Sequence, residues 1–214
     1  PDVGNEVEII ADLIHKVTGK TFDPDKINAI KDHEIVKSID WITEHFKVLT
    51  KRNVKAKLTP FEFWDYAVEL KKSEGLETAS IDSWKDMHHD TSKYARDDKY
   101  LEDVLSYRNH IAENNELHLH TIIHPKLTEK ENGIRKSPNP YDLKGGSEWI
   151  NNGKNMITIH REDITNNLVD VYFNKIKPRS NGNVGRIQMF FDIDKFVYYD
   201  EIGIRQEKVY SQKQ

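Results

Sequence analysis

The chain has 214 residues, which is enough for one well-buried α/β domain. It carries 32 lysines and arginines against 36 aspartates and glutamates, so any nucleic-acid surface has to be local. The absence of cysteine excludes disulfide frameworks and thiolate metal sites and fits the cytoplasm of a bacterium or a phage-infected cell, and no apolar run is long enough to cross a membrane.

The first part of the chain is predicted to be mainly helical. Apolar residues recur at helical spacing near residues 5–17 and from Ile35 to Phe46, and a short strand is predicted over 46–49. The run Thr59-Pro60-Phe61-Glu62 combines an N-cap threonine with an early proline and glutamate. That combination marks a helix start, and Gly75 marks the end of the same helix.

Strands and helices alternate after this point. A strand over 78–82 is followed by a polar loop, a helix over 100–112, a second strand over 117–123 and a long loop that reaches Gly146. Period-two segments follow at 155–160, 168–176, 186–191 and 196–199. This order predicts one α/β domain over residues 1–200, with a parallel central sheet extended by an antiparallel C-terminal meander, and a tail over 201–214.

Asp82 is the first candidate for a functional residue. A short strand delivers its carboxylate to the C-terminal edge of a parallel sheet, where ligands of open α/β sheets bind. Magnesium prefers oxygen ligands and keeps several waters, so a lone aspartate there would act on the ion through water. The alternative is an aspartate that only opens the next turn. His124 follows the next strand and would lie beside Asp82, placed to sense a phosphate.

A zinc site is a second interpretation of the histidines. His118, His120 and His124 share one side of a strand, because alternate side chains face the same way. Zinc needs about three or four converging ligands, and His88 and His89 are the obvious further candidates. The spacing therefore gives zinc little support.

The run Thr18-Gly19-Lys20-Thr21 resembles the end of a phosphate loop, G-x-x-x-x-G-K-[ST]. That pattern would need glycine in place of Ile14 and a strand before it, whereas this run follows a predicted helix. Gly19 is better explained as a helix C-cap. We therefore expect the isolated 214-residue chain to hydrolyse no ATP.

Basic residues cluster in two places. One set follows His124, and the other surrounds a glycine-containing hairpin turn, where no acidic residue interrupts Asn174 to Arg186. Such bases suit contact with nucleic-acid phosphates, and the alternative is an ordinary solvated loop. The two sets are Lys126, Lys130, Arg135, Lys136 and Lys144, and Lys175, Lys177, Arg179 and Arg186.

The order of these motifs resembles replicative helicases, in particular the branch that contains phage primase-helicases, Twinkle and DnaB. The resemblance covers essentially Pro1 to Tyr199 and is most specific over 139–149 and 170–185. The motifs are Ile-Asp-Ser-Trp at 81–84, Ile-Ile-His-Pro at 122–125, Pro-Tyr-Asp-Leu-Lys-Gly-Gly-Ser-Glu-Trp at 140–149, Ile-His-Arg at 159–161 and Asn-Lys-Ile-Lys at 174–177.

This resemblance implies a RecA-like three-layer domain that lacks its phosphate loop. Asp82 would be the magnesium-site aspartate of that fold, and His124 would be the sensor of the γ-phosphate. Asp2 would stand where the family carries a catalytic carboxylate, which is usually Glu.

The resemblance also implies a basic pair that reaches the nucleotide of a neighbouring subunit. Lys175 with either Lys177 or Arg179 would match that pair. Where the family pattern is Lys-x-Arg, the chain has Lys at 175 and again at 177, and Arg179 lies two positions on. Lysine lacks the bidentate fork of arginine, so the identity of the finger stays open.

The implied function belongs to the parent protein, by which we mean the natural gene product that contains these residues. It would be an ATP- and Mg²⁺-dependent helicase, built as a homo-oligomeric ring, such as a hexamer, that translocates on single-stranded DNA. The loops after Asp82 and His124 would face the channel, and no cofactor would bind tightly to this chain alone. The alternatives are a RecA- or KaiC-type recombination or regulatory ATPase and a non-catalytic nucleic-acid-binding fragment.

Overall fold

The structure, a computed structural model, describes residues 6–49, 58–125, 130–131, 134–163, 165–195 and 197–200, with the backbone alone at 130, 131, 134 and 135. The helices are α1 Glu6–Thr18, α2 Asp32–His45, α3 Pro60–Glu74, α4 Asp97–Asn115 and α5 Gly146–Asn152. The strands are β1 Thr78–Ile81, β2 His118–Thr121, β3 Lys130–Glu131, β4 Ile134–Arg135, β5 Met156–His160, β6 Leu168–Lys175, β7 Gly185–Asp192 and β8 Val197–Tyr199. Short 3-10 turns lie at Trp84–Asp86, Pro140–Asp142 and Arg179–Asn181.

The chain divides into two compact units. Among the described residues, the first unit takes in 49–156 and 174–183, and the second takes in 6–48, 157–173 and 184–200. The predicted tail over 201–214 lies outside the described residues, and the predicted domain boundary stays a prediction. Within the described ranges, no helix is long and apolar enough to span a bilayer.

In the first unit, β1 and β2 form a parallel pair, and α4 packs against α3, α5 and β2. Trp64, Val104 and Leu105 are fully buried in one apolar cluster with residues of β1. Burying a side chain of this size stabilises the fold by about 1.5–3 kcal/mol. Packing of this cluster therefore holds the helices against the strands that carry the candidate site.

The start and end of α3 agree with the sequence prediction. The Thr59 hydroxyl accepts a hydrogen bond from the Glu62 amide at 3.2 Å, and the Glu62 carboxylate accepts one from the Thr59 amide at 2.7 Å. Gly75 ends the helix in the left-handed conformation, with φ of 75°. The reciprocal pair satisfies two amides at the helix start that would otherwise lack partners.

One prediction of local structure is wrong, and one helix was not predicted. No strand forms over 46–49, where Phe46 instead caps α2 through its amide and packs on Trp41, with ring centroids 5.8 Å apart. In addition, α5 begins at Gly146, where the predicted loop ends, and the sequence prediction assigned no element there. Its seven residues include one glycine and two asparagines, so helix propensity is low, and burial of Trp149 to 4% exposure stabilises it.

The second unit joins the α1–α2 pair to strands of the C-terminal sheet. That sheet has the order β5-β6-β7-β8, with β6–β7 and β7–β8 antiparallel, as the period-two pattern predicts. Among the described residues it is hydrogen-bonded separately from β1–β2. Gly19, with φ of 66°, follows α1, and the Lys20 ammonium pairs with Glu34 at 2.5 Å. The run Thr18-Gly19-Lys20-Thr21, which resembles the end of a phosphate loop, therefore ends a helix and follows no strand.

Two tyrosines of α4 predict how stability depends on alkaline pH. Burial raises the pKa of Tyr100 to about 12, and a hydrogen bond to Asp65 raises that of Tyr107 to about 12. Unfolded tyrosine ionises near pH 10, so the folded state favours the neutral phenols. Their contribution is fully present below about pH 10 and is lost as the pH rises towards about 12.

We expect the melting temperature to fall steeply between about pH 10 and about pH 12 because of these two groups. Tyr107→Phe should fall less steeply than the wild type, and Tyr141→Phe, at a residue that is 70% exposed, is the matched control. Thermal unfolding followed by circular dichroism measures both. Equal slopes for Tyr107→Phe and the wild type would contradict the assignment.

Candidate functional site

The candidate site is built on the carboxyl ends of β1 and β2. The two strands run parallel, with Ile81 opposite Thr121, so both ends meet at one edge of the sheet. Backbone bonds continue past the strands, from the Ile122 amide to Ile81 and from the Trp84 amide to Ile122, each 2.9 Å. Asp82 lies between these bonds and is exposed, and His124, also exposed, follows two residues after Ile122.

The residues after Asp82 hold the backbone of this edge in place. Ser83 is 1% exposed and its hydroxyl donates to the Asp86 carboxylate at 2.8 Å. The Trp84 ring packs edge-on against Trp149 with centroids 5.0 Å apart. The peptide bond between Asp82 and Ser83 is cis. The exposed carboxylate of Asp82 is therefore followed directly by residues that are packed in place. This arrangement suits a residue that has to present oxygen atoms to a ligand.

His89 connects this edge to α4. One nitrogen of its ring lies 2.8 Å from the Trp84 carbonyl, and the other lies 2.9 Å from the Tyr100 hydroxyl. The neutral ring can donate to the carbonyl and accept from the hydroxyl, so both nitrogens are satisfied. His89 therefore has a packing role in this arrangement.

The side chains at the carboxyl edge of β1 and β2 determine which metal ion could bind there. Among the described residues, no group of three or more His, Cys, Asp or Glu could hold a metal ion. His118 and His120 do meet, with ring centroids 4.6 Å apart, and burial followed by the charge of His118 lowers the pKa of His120. An isolated exposed carboxylate such as Asp82 fits magnesium, which binds through one or two carboxylates and retains water.

The segment 139–149, the most specific motif of the sequence, is a compact turn followed by α5. Asn139 accepts from the Tyr141 amide at 3.0 Å, and the Asp142 carboxylate accepts from the Asn139 amide at 2.6 Å. Gly146 lies so close to the turn that an added Cβ would meet backbone atoms of Pro140 and Tyr141 at 2.8 Å. Only glycine fits at that position without displacing the turn.

Lys144, predicted to bind DNA, lies in this segment and has a partner within the chain. Its ammonium pairs with Asp97, at the start of α4, at 2.8 Å, and both side chains are mostly exposed. Such a surface ion pair contributes about 0–1 kcal/mol. The pair therefore holds the Lys144 ammonium near the start of α4 and leaves it exposed to solvent.

The basic residues near the hairpin turn differ in their surroundings. The Lys175 ammonium donates to the Ile150 carbonyl near the end of α5, and burial followed by the charges of Lys177 and Lys154 lowers its pKa. Lys177 and Arg179 have exposed side chains. Arg186, from the second unit, pairs with the buried Asp170 at 2.7 Å.

Two residues of α4 that the sequence analysis did not assign to a site contact the same end of α5. Arg108 and Asn109 both donate to the Asn152 carbonyl, at 3.2 Å and 2.9 Å. Burial lowers the pKa of Arg108 to about 10. The signal in the sequence is that Arg108 lies among the apolar positions of the α4 pattern, where a charged residue needs a specific partner.

Several predicted site residues cannot be placed. Asp2 and Lys126 lie outside the described residues, and only the backbone of Lys130 and Arg135 is described. Lys136 is described and exposed. The roles of these five residues, like those of the other predicted site residues, remain predictions from the sequence.

Comparison with known proteins supports the relationship that the motifs indicate. No protein family model matches the chain. It is 22% identical over 204 residues to the Twinkle homolog protein, chloroplastic/mitochondrial, of Arabidopsis thaliana. That match covers 93% of this chain and 25% of the relative, so the chain spans about a quarter of its length.

The fold has a match among solved structures. A DnaB-like replicative helicase, described with its interactions with primase, superposes with a TM-score of 0.66 at 15% identity. The match covers 91% of this chain and 49% of that chain. The predicted fold class and the resemblance to the Twinkle and DnaB type of replicative helicase are confirmed.

Proposed function

We propose that this chain is part of the motor domain of an ATP-dependent, ring-forming replicative helicase or primase-helicase that translocates on single-stranded DNA. The observation that carries the proposal is the similarity of nearly the whole chain to a Twinkle homolog, joined to the fold of a DnaB-like helicase. The exposed Asp82 at the carboxyl edge of β1 and β2 supports it, because ligands of such sheets bind there.

In this proposal Asp82 and His124 serve ATP hydrolysis. Asp82 would hold magnesium through an ordered water, and His124 would contact the γ-phosphate from the neighbouring strand. Mg²⁺ bound with ATP neutralises charge that develops on the phosphates. The 214 residues contain no G-x-x-x-x-G-K-[ST], so the cradle for the β- and γ-phosphates has to come from elsewhere in the parent protein.

We assign the basic pair that reaches the neighbouring subunit to Lys177 and Arg179. Both side chains are exposed, whereas the Lys175 ammonium is engaged by α5. Arg179, the second residue of the pair, has a planar guanidinium that can donate two parallel hydrogen bonds to one phosphate. A ring, such as a hexamer, is the assembly in which such a pair can act on a neighbour.

The loops after Asp82 and His124 would line the channel that holds DNA. Their bases would contact phosphates without reading sequence. Exposed Lys136 and the surface pair of Lys144 with Asp97 are compatible with this role. The candidates are Lys126, Lys130, Arg135, Lys136 and Lys144.

The test is strand separation by the parent protein on a forked duplex, with and without ATP, together with single-strand binding at several salt concentrations. Replacing Lys130, Arg135 and Lys136 together by Ala should weaken binding to every sequence. The slope of log affinity against log salt should fall by up to about 0.7 for each phosphate that is no longer neutralised. Unwinding should fall with it.

A charge-matched variant controls for non-specific electrostatics. Lys16, Lys37 and Lys72 are exposed on helices, so their joint replacement by Ala removes the same charge from residues that are not part of the loop. It should leave the salt slope near the wild-type value. An unaltered slope in the loop variant would show a solvated face and end the channel assignment.

Adding an ATP-hydrolysis assay separates the alternative functions. A RecA- or KaiC-type relative would hydrolyse ATP without opening the fork, and a binding fragment would do neither. The predicted cellular location, the cytoplasm of a bacterium or of a phage-infected cell, stays a prediction. The printed name of the plant relative places that protein in chloroplasts and mitochondria.

A further inference from the structure

We propose that the turn ending α5, residues 150–155, positions the Lys177–Arg179 segment, and that Lys175 is a positioning residue that holds this turn. Lys175 then makes no contact with nucleotide. The function of the positioned segment rests on the proposed function above, whereas the positioning itself is a property of the first unit.

The first link is the contact of Lys175 with α5. Lys175 is the last residue of β6, and its ammonium donates to the carbonyl of Ile150. A cation near the carboxyl end of a helix is stabilising, because the last carbonyls lack partners within the helix. The ammonium is half-buried there, so moving it to a distant phosphate would break this contact.

The second link is made by the backbone two residues later. The Lys177 amide donates to the Asn155 side-chain carbonyl at 3.1 Å. The segment then closes a 3-10 turn, in which the Asn181 amide donates to Pro178 at 3.0 Å and the Gly182 amide to Arg179 at 3.3 Å. Because the start of this turn is fixed at Lys177, the side chain of Arg179 projects from a defined backbone.

The third link joins the same turn to α4. The Asn152 carbonyl accepts bonds from Arg108 and Asn109, and Lys154 pairs with Glu113 at 3.0 Å. Arg108 has no carboxylate partner among the hydrogen bonds and ion pairs of the described ranges. Its buried guanidinium therefore depends on the Asn152 carbonyl and on Asn109. Helices α4 and α5, together with Lys175 at the end of β6, thus determine where Lys177 and Arg179 lie.

Hydrogen–deuterium exchange of the parent protein without nucleotide tests the positioning directly. Lys175→Met and Asn155→Ala should each raise exchange over residues 176–183 several-fold. Lys175→Arg, which can still donate to the Ile150 carbonyl, should keep wild-type exchange. Lys177→Met is the matched control, because the contact uses the backbone of Lys177 and the side chain is exposed. Unchanged exchange in Lys175→Met would overturn the inference.

Steady-state ATP hydrolysis by the same variants tests the consequence. Arg179→Ala should lower kcat by about 10³-fold or more, as loss of an arginine finger does. Lys175→Met should lower kcat by a smaller factor with KM for ATP unchanged, and Lys175→Arg should restore most of it. Equal loss in both Lys175 variants would show that this ammonium touches the nucleotide and would overturn the inference. If the wild-type parent hydrolyses no ATP, the proposed function fails and the exchange result still decides the positioning.

Discussion

Asp82→Asn in the parent protein should lower ATP hydrolysis by about 10²-fold or more. The neutral amide would hold the magnesium water more weakly than the carboxylate, and the ion would then stabilise the charge on the phosphates less well in the transition state. Asparagine keeps the shape of the side chain, and Asp82 is exposed at a strand end. The melting temperature should therefore stay close to the wild-type value. His124→Ala should have an effect of the same kind, since His124 also lies beyond a strand end.

Glu77→Gln is the matched control for Asp82→Asn. Glu77 is an exposed carboxylate that precedes β1, at the opposite end of the same strand. Its backbone carbonyl accepts from the His118 amide at 2.9 Å, and the substitution leaves that bond intact. Steady-state phosphate release measures all three variants. Wild-type turnover in Asp82→Asn would remove the carboxylate from the mechanism and leave it as a turn residue.

Gly146→Ala should destabilise the protein by about 1–3 kcal/mol, the usual range for a methyl group forced into a packed region. The added Cβ would lie 2.8 Å from three backbone atoms of Pro140 and Tyr141, which cannot rotate away as a side chain could. The turn before α5 would have to move, and Trp149 with it. Urea unfolding of the parent protein, followed by tryptophan fluorescence, measures the change.

Gly185→Ala is the control for this substitution. Gly185 begins β7, and an added Cβ there would meet no atom within 4 Å. The free energy of unfolding of the Gly185→Ala protein should differ from the wild-type value by less than about 1 kcal/mol, mainly through the entropy of the unfolded chain. Equal stability of Gly146→Ala and the wild type would mean that the 139–149 segment adapts without loss.

Local signals in the sequence predict α3 and the strand tips well. Thr59 and Glu62 satisfy amides at the start of α3, and Gly75 satisfies carbonyls at its end, so each of them acts on backbone groups within a few residues of itself. The alternation around β6 and β7 likewise reports the two faces of a sheet. Asp82 could be proposed from the sequence because a strand end is a local feature.

Contacts between distant segments could not be predicted in this way. Whether α5 forms depends on burial of Trp149 and on the Asn152 carbonyl meeting Arg108, 44 residues away in the chain. The role of Lys175 depends on α5 as well, and the sequence analysis grouped it with its exposed neighbours. The wrong strand over 46–49 has the same origin, because a strand forms only by pairing with a distant segment, which a local apolar pattern does not report.

The ion pair between Lys144 and Asp97 has a consequence for DNA affinity. Lys144 already has a counter-ion, so a phosphate at this position would replace a carboxylate rather than neutralise a bare charge. Asp97, once released, would remain in the first turn of α4, where a negative charge is stabilised by the helix amides. Under the proposed function, breaking this pair would therefore offset part of what a phosphate contact gains, and Lys144 would add less to DNA affinity than a basic residue that has no such pair to break.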